Sequence, residues 1–219
     1  MAGCSGHDFR KHDSRKHDFR EVVPIKGVLL LLRIVGPMAS RPSPTDLAVA
    51  HGREIPDVIA PDLAILFCGI NPGLWSAAVG HHFARPGNRF WPALHRAGFT
   101  PRQLRPDEQE QLLGYGLGIT NIVGRGTARA DELTQAELVA GGATLAAKVR
   151  EYRPAWLAVL GVTAYRTAFH VRAARVGPRP ETIGDTRVWV LPNPSGLNAH
   201  FTLDKLAAEF AQLREEARR

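Results

Sequence analysis

LAILFCGINPG, from Leu63 to Gly73, decides the architecture. Leu63 to Ile70 is apolar without a break, the pattern of a strand buried on both faces rather than one. The run stops at Asn71-Pro72-Gly73, a turn by composition. Three further strand candidates follow: Gly116–Val123 (GLGITNIV), Trp156–Gly161 (WLAVLG) and Arg187–Leu191 (RVWVL). Helical stretches separate them. Asn88–Ala97 (NRFWPALHRA) reads as a helix stopped by Gly98. Thr134-Gln135-Ala136-Glu137 is a capping box that opens a long helix to about Tyr152. A helix from about Thr163 to Phe169 and another from Leu203 to the C-terminus complete the series. Strands alternating with helices predict an α/β fold with a parallel sheet covered on both faces. Ligands bind such sheets beyond the carboxyl ends of the strands, so the loops after Ile70, Val123, Gly161 and Leu191 are the ones to search.

The 219 residues suffice for one domain of this kind plus an extension. We assign residues 1–48 to an N-terminal extension, disordered or outside the true coding region, and 49–219 to the domain. The extension repeats HDFRK, HDSRK and HDFR between His7 and Arg20; its histidines could bind metal, and Met38 is an alternative start. Arg41 to Pro61 is proline-rich and reads as a linker. No apolar run approaches the roughly 20 residues of a bilayer span, so the expectation is an intracellular soluble protein, cytoplasmic if the source is prokaryotic. Cys4 and Cys68 match no zinc spacing, and Cys68 reads as a small buried hydrophobe. Trp91, Trp156 and Trp189 sit among apolar neighbours and read as core. The net charge of +7 suits a polyanionic partner, although many unrelated proteins share such a charge.

Two of the loops are unusual: GINPGLWSAAVGHHFARPGNRFW (Gly69–Trp91) and LPNPSGLNAHF (Leu191–Phe201). In this order, each after a predicted strand, they resemble the mismatch-specific uracil/thymine-DNA glycosylases of the uracil-DNA glycosylase superfamily. The likeness runs from about Asp62 to the final helix and takes in GITNIV and the pair Gly141-Gly142. It implies a three-layer α/β/α sandwich around a four-stranded parallel sheet. It also implies action on double-stranded DNA, with no metal or cofactor; a monomer is the default for an enzyme that scans DNA.

Cleaving the bond between base and deoxyribose puts cationic character on the sugar and negative charge on the departing base. A catalyst needs hydrogen-bond donors for the base and a held water for C1′. The nucleotide must first leave the stack, at a cost of a few kcal/mol that is lowest for mismatched bases. The resemblance makes Asn71 the water-holder, through its amide oxygen; a plain turn is the bland alternative. An amide is a poor base, which directs attention to Asp131 in GRGTARADELT as a possible second catalytic group or a solvated surface acid. Phe83 is the stacking platform for the base. Ile70 and Phe83 read its edge through backbone amides, Asn193 holds base or phosphate, and Ser76 lies near the target phosphate. The small residues Ala77-Ala78 suggest a generous pocket wall. Leu197 is the wedge that fills the vacated stack, flanked by Ser195 and Gly196, which allows close backbone approach. Asn198 and Ala199 stand where some relatives carry a basic residue that touches the opposite guanine. Arg85, Arg89, Asn121 and Arg125 are candidate phosphate contacts, with Arg129 in the same loops; Asn121 replaces a lysine of some bacterial relatives. His81-His82 is either a phosphate contact or surface. Three other readings stay open: a superfamily relative with another base preference, a non-catalytic mismatch binder and, weakly, a nucleotide-binding enzyme, since GINPG lacks dinucleotide-loop spacing.

Overall fold

A computed structural model describes residues 41–219; the readings made for 1–40 lie outside the described residues. Five strands form the sheet: β1 (Ile65–Gly69), β2 (Leu117–Asn121), β3 (Trp156–Leu160), β4 (Gly177–Ile183) and β5 (Thr186–Leu191). Their spatial order is β2-β1-β3-β5-β4. β1 pairs in parallel with β2 and β3, and β3 pairs in parallel with β5. These are the four strands expected from the sequence. The fifth, β4, corrects the four-stranded expectation: it adds antiparallel to β5 at the sheet edge. Its sequence, GPRPETI, is polar and carries two prolines, which only an edge strand tolerates because one side of it needs no ladder donors.

The unbroken apolar run of β1 has a simple cause. Ile65 and Phe67 point to one face, where Phe90, Leu94, Trp189, Leu206 and Phe210 are buried; Leu66 and Cys68 point to the other, with Leu145, Val149, Leu157 and Tyr165. Successive strand residues serve opposite layers, so neither parity can be polar. Each fully buried Leu or Phe is worth about 1.5–3 kcal/mol.

Helices cover both faces. α1 (Pro44–Val49) starts at Ser43, whose hydroxyl and Asp46 close a capping box. It lies in the stretch read as linker. α2 (Leu74–Val79) follows Asn71-Pro72-Gly73 directly and ends at Gly80, in left-handed backbone with φ +76°. α3 (Phe90–Arg96) and α6 (Leu203–Glu216) pack on the Phe67 face. α4 (Gln135–Tyr152) opens with the Thr134–Glu137 capping box that the sequence announces, and α5 (Val162–Ala168) lies beside it. A 3-10 helix, Pro106–Tyr115, leads into β2.

Two glycines bring α4 close to its neighbours, Gly141 to the end of β2 and Gly142 to α5. A Cβ on Gly141 would lie 2.3 Å from the Ile122 carbonyl oxygen, and one on Gly142 would lie 2.4 Å from that of Ala168. Lys148 of α4 bonds Asp57 and, at 3.0 Å, Thr120 Oγ1 of β2, fixing the same helix in register.

Candidate active site

The carboxyl ends of β1, β2, β3 and β5 open onto one cavity of about 370 Å³. Gly69 to Gly73, Asn121, Thr127 to Asp131, Leu160, Asn193 to Ser195 and Leu197 all line it, with Ser76, His82, Phe83 and Arg85. The two unusual loops therefore meet at one rim. Ala77 and Ala78 are not part of the lining, contrary to the wall expected there; Ala77 is buried beneath Gly126.

Asn71 is held in one orientation. Its Nδ2 donates to Thr127 Oγ1 (2.7 Å), the Arg125 carbonyl (3.0 Å) and the Pro72 carbonyl (3.2 Å). Thr127 Oγ1 spends its own proton on the Arg129 carbonyl (2.7 Å), so towards Asn71 it can only accept. Every group at that end of the amide is thus an acceptor, which identifies the nitrogen and leaves Oδ1 at the other end. Oδ1 has no partner among the described residues and is not sealed in protein. Thr127 is buried, and its backbone ties the turn down as well: its N–H donates to Pro72 and its carbonyl accepts from Leu74 N–H. Sequence reasoning missed Thr127. It stands 56 positions from Asn71 in chain order, and no local pattern marks it.

Phe83 and Asn121 form the inner wall. The Phe83 ring stacks on Phe90 at 4.2 Å, leaving its other face unstacked among the aromatic pairs of the described residues. Its backbone is left-handed, φ +54°, a strained state for a non-glycine residue of the kind that collects at functional sites. A Cβ on Gly69 would lie 2.4 Å from Asn121 Oδ1 and 3.2 Å from Phe83 Cζ, so glycine leaves the floor open. Among the described residues, no acceptor bonds the backbone N–H of Ile70 or Phe83. Asn121 sits at this floor rather than among phosphate-facing cations, which corrects its expected place.

His82 is not a surface residue. It is buried, its Nε2 lies 3.0 Å from the Pro56 carbonyl, and its backbone N–H donates to Gln109 Oε1 at 2.8 Å. A carbonyl facing Nε2 requires the proton there, so Nδ1 is the acceptor that meets Asn121 Nδ2 at 3.4 Å. Asn121 Oδ1 is thereby aimed past Gly69 into the cavity. Burial holds the His82 imidazole below its ordinary pKa of 6.5, against the upward pull of the Pro56 carbonyl. Below 6.5 the unfolded chain takes a proton here that the folded chain refuses, so stability falls as pH drops through that window. Urea unfolding from neutral pH to about pH 5 should show this loss in the wild type and a smaller one in His82→Gln. Equal slopes in the two proteins would contradict it.

Several expected contacts are otherwise engaged. Ser76 is buried, and its Oγ accepts the Ala84 N–H at 3.0 Å, fastening the loop that carries Phe83. Arg125 pairs with Glu137 and donates to the Glu132 carbonyl. Arg89 bonds backbone carbonyls of the second loop. Asn198 is spent within its own loop, its Nδ2 on the Asn193 carbonyl and its Oδ1 on the His200 N–H. Gly196 approaches the chain itself: a Cβ there would lie 2.6 Å from the Gly87 carbonyl oxygen. Asp131 lines the cavity, with a side chain 70% exposed and paired to Arg129 at 3.0 Å. Of the candidate cations, Arg85 alone is exposed with no side-chain hydrogen bond or ion pair among the described residues. Asn193 Oδ1 accepts the Ser195 N–H and Ser195 Oγ the Leu197 N–H, turns that present Leu197 74% exposed.

A hollow floored by an amide and an aromatic face, beside a fixed carbonyl oxygen and an exposed leucine, is equipped to hold a planar polar ring. The solution NMR structure of a candidate uracil DNA glycosylase from Methanosarcina acetivorans is similar at 18% identity and a TM-score of 0.49. The match covers 74% of this chain and 98% of that one. Residues 56–218 match the model of the Uracil DNA glycosylase superfamily, and by that match the chain belongs to this superfamily.

Proposed function

We propose that this protein is a monofunctional mismatch-specific glycosylase, active as a monomer, that removes uracil from G·U pairs in double-stranded DNA. Water adds to C1′ of the deoxyribose as the bond to the base breaks; the base takes the bonding electrons and then a proton, and an abasic site remains. The observation that carries this reading is the fixed amide of Asn71, its oxygen free at the cavity that Leu197 overhangs from the opposite loop. That oxygen accepts a hydrogen bond from the attacking water. The Ile70 and Phe83 N–H groups and Asn121 supply polar partners for the uracil edge, where negative charge grows as the bond breaks. Phe83 stacks against the base. Arg85 takes a backbone phosphate. Leu197 fills the gap left in the helix.

Asp131 has a lesser place in this scheme. An exposed carboxylate with its own arginine acts through water, where two unit charges 4 Å apart exchange only about 1 kcal/mol. Thymine differs from uracil by one methyl, worth about 1–3 kcal/mol in a pocket, so discrimination between the two is modest.

The test is release of free base from duplexes containing G·U, A·U and G·T pairs and from single strands. Uracil should appear fastest from G·U. Leu197→Ala should slow that release by about tenfold to a hundredfold. Release of a different modified base would assign another branch of the superfamily. Tight mismatch binding with no base released would assign a damage binder and sink the enzymatic reading.

A further inference from the structure

The guanidinium of Arg89, the last residue before α3, reaches across to the loop that carries Leu197. Nη2 donates to the Gly196 carbonyl at 2.7 Å and the Asn198 carbonyl at 3.2 Å; Nη1 donates to the Phe201 carbonyl. The backbone N–H of Arg89 adds a fourth bond, to the Pro194 carbonyl at 2.9 Å. No carboxylate pairs with Arg89 among the described residues, so its charge is directed wholly at peptide oxygens. We infer that Arg89 is a positioning residue that holds the 194–201 loop in its inserting shape, and that it acts on DNA through Leu197 rather than by touching phosphate. This inference rests on the glycosylase reading given above.

Three features support it. The bonded carbonyls, of residues 194, 196, 198 and 201, bracket Leu197 on both sides. A residue presented 74% exposed to a helix has no packing of its own to fix it, so the loop must be fixed from behind. Turning three peptide oxygens inward, toward a cation, also keeps their partial negative charge away from a polyanion. Gly196 completes the fit: its contact with the Gly87 carbonyl seats the loop against the segment that carries Arg89, and any side chain would break that contact.

A planar fork is needed for several carbonyls at once, whereas a phosphate contact needs only charge. Arg89→Lys and Arg89→Ala therefore separate the two roles. With single-turnover cleavage of a G·U duplex as readout, both variants should lose about tenfold to a hundredfold, and neither should add to the loss in Leu197→Ala. Placing a flat polycyclic surrogate opposite the uracil fills the stack without a wedge, and should restore both variants to within about threefold of the wild type. Wild-type behaviour of Arg89→Lys would overturn the inference. So would a loss that multiplies with Leu197→Ala, or a salt dependence of binding reduced by about one phosphate contact in Arg89→Ala. Hydrogen exchange of the free protein tests the clamp without any activity: amides of 194–201 should exchange faster in Arg89→Ala. Unchanged exchange would overturn the clamp. Absence of base release by the wild type would instead overturn the glycosylase reading, and the two failures are distinguishable.

Discussion

Asn71→Ala is expected to slow single-turnover release of uracil by about 10²–10⁴-fold while the protein stays folded. The amide nitrogen serves the fold and the oxygen serves the water, so alanine removes both, but two of the three acceptors left behind belong to Pro72 and Thr127, which line a cavity that water can enter. The stability cost should stay near 1 kcal/mol. Asn71→Asp is the more telling variant. A carboxylate is the better base, yet one of its oxygens would face two carbonyls and a hydroxyl whose proton is committed elsewhere. That clash of acceptors should cost about 1–3 kcal/mol and displace the group, so no gain in rate follows. Thr127→Val, which keeps shape and loses the acceptor, should release the amide and lower the rate without moving the melting temperature as far as Asn71→Asp does. Single-turnover rates with thermal unfolding of the same samples check all three. An Asn71→Ala enzyme within threefold of wild type would remove Asn71 from the mechanism.

Gly141→Ala and Gly142→Ala should each destabilise the protein, although alanine favours a helix over glycine by about 0.5–1 kcal/mol. The new methyl carbons would meet the Ile122 and Ala168 carbonyl oxygens at 2.3 and 2.4 Å, and those oxygens belong to backbone that cannot rotate away. α4 would have to lift from the end of β2 in the first case and from α5 in the second, and overpacking of this sort typically costs about 1–3 kcal/mol. Urea midpoints should fall for both variants, and further for the pair. Gly141→Ala should also weaken activity, because Ile122 directly follows Asn121 at the cavity floor. A midpoint at or above the wild type's would mean that the helix already stands off.

Much of the fold was legible because burial on two faces leaves a local trace. β1 and β3 are buried at every position, β2 and β5 at all but one, and α4 announces its start through Thr134 and Glu137. β4 gave no such trace: its residues are mostly exposed, and its pairing with β5 supplies what its composition does not. α2 was hidden in the same way, six residues between two glycines inside a stretch read as loop.

The site divides along a similar line. The order of the two loops and their place after β1 and β5 follow from sequence, and the resemblance those loops carry singles out Asn71, Phe83 and Leu197. Which cation is free to meet a phosphate does not follow. Arg85, Arg89 and Arg125 read alike in the chain, and only folding gives Arg89 to carbonyls and Arg125 to Glu137 while leaving Arg85 unpaired among the described residues. The orientation of the Asn71 amide was equally out of reach. It depends on a hydroxyl 56 residues away whose own proton is already used, and a hydrogen bond between distant segments has no period to reveal it. Sequence by itself determined which strands are buried on both sides, because hydrophobic burial is written residue by residue. Only the tertiary structure decided which polar groups are spent and which are free, because that is a matter of who stands opposite whom.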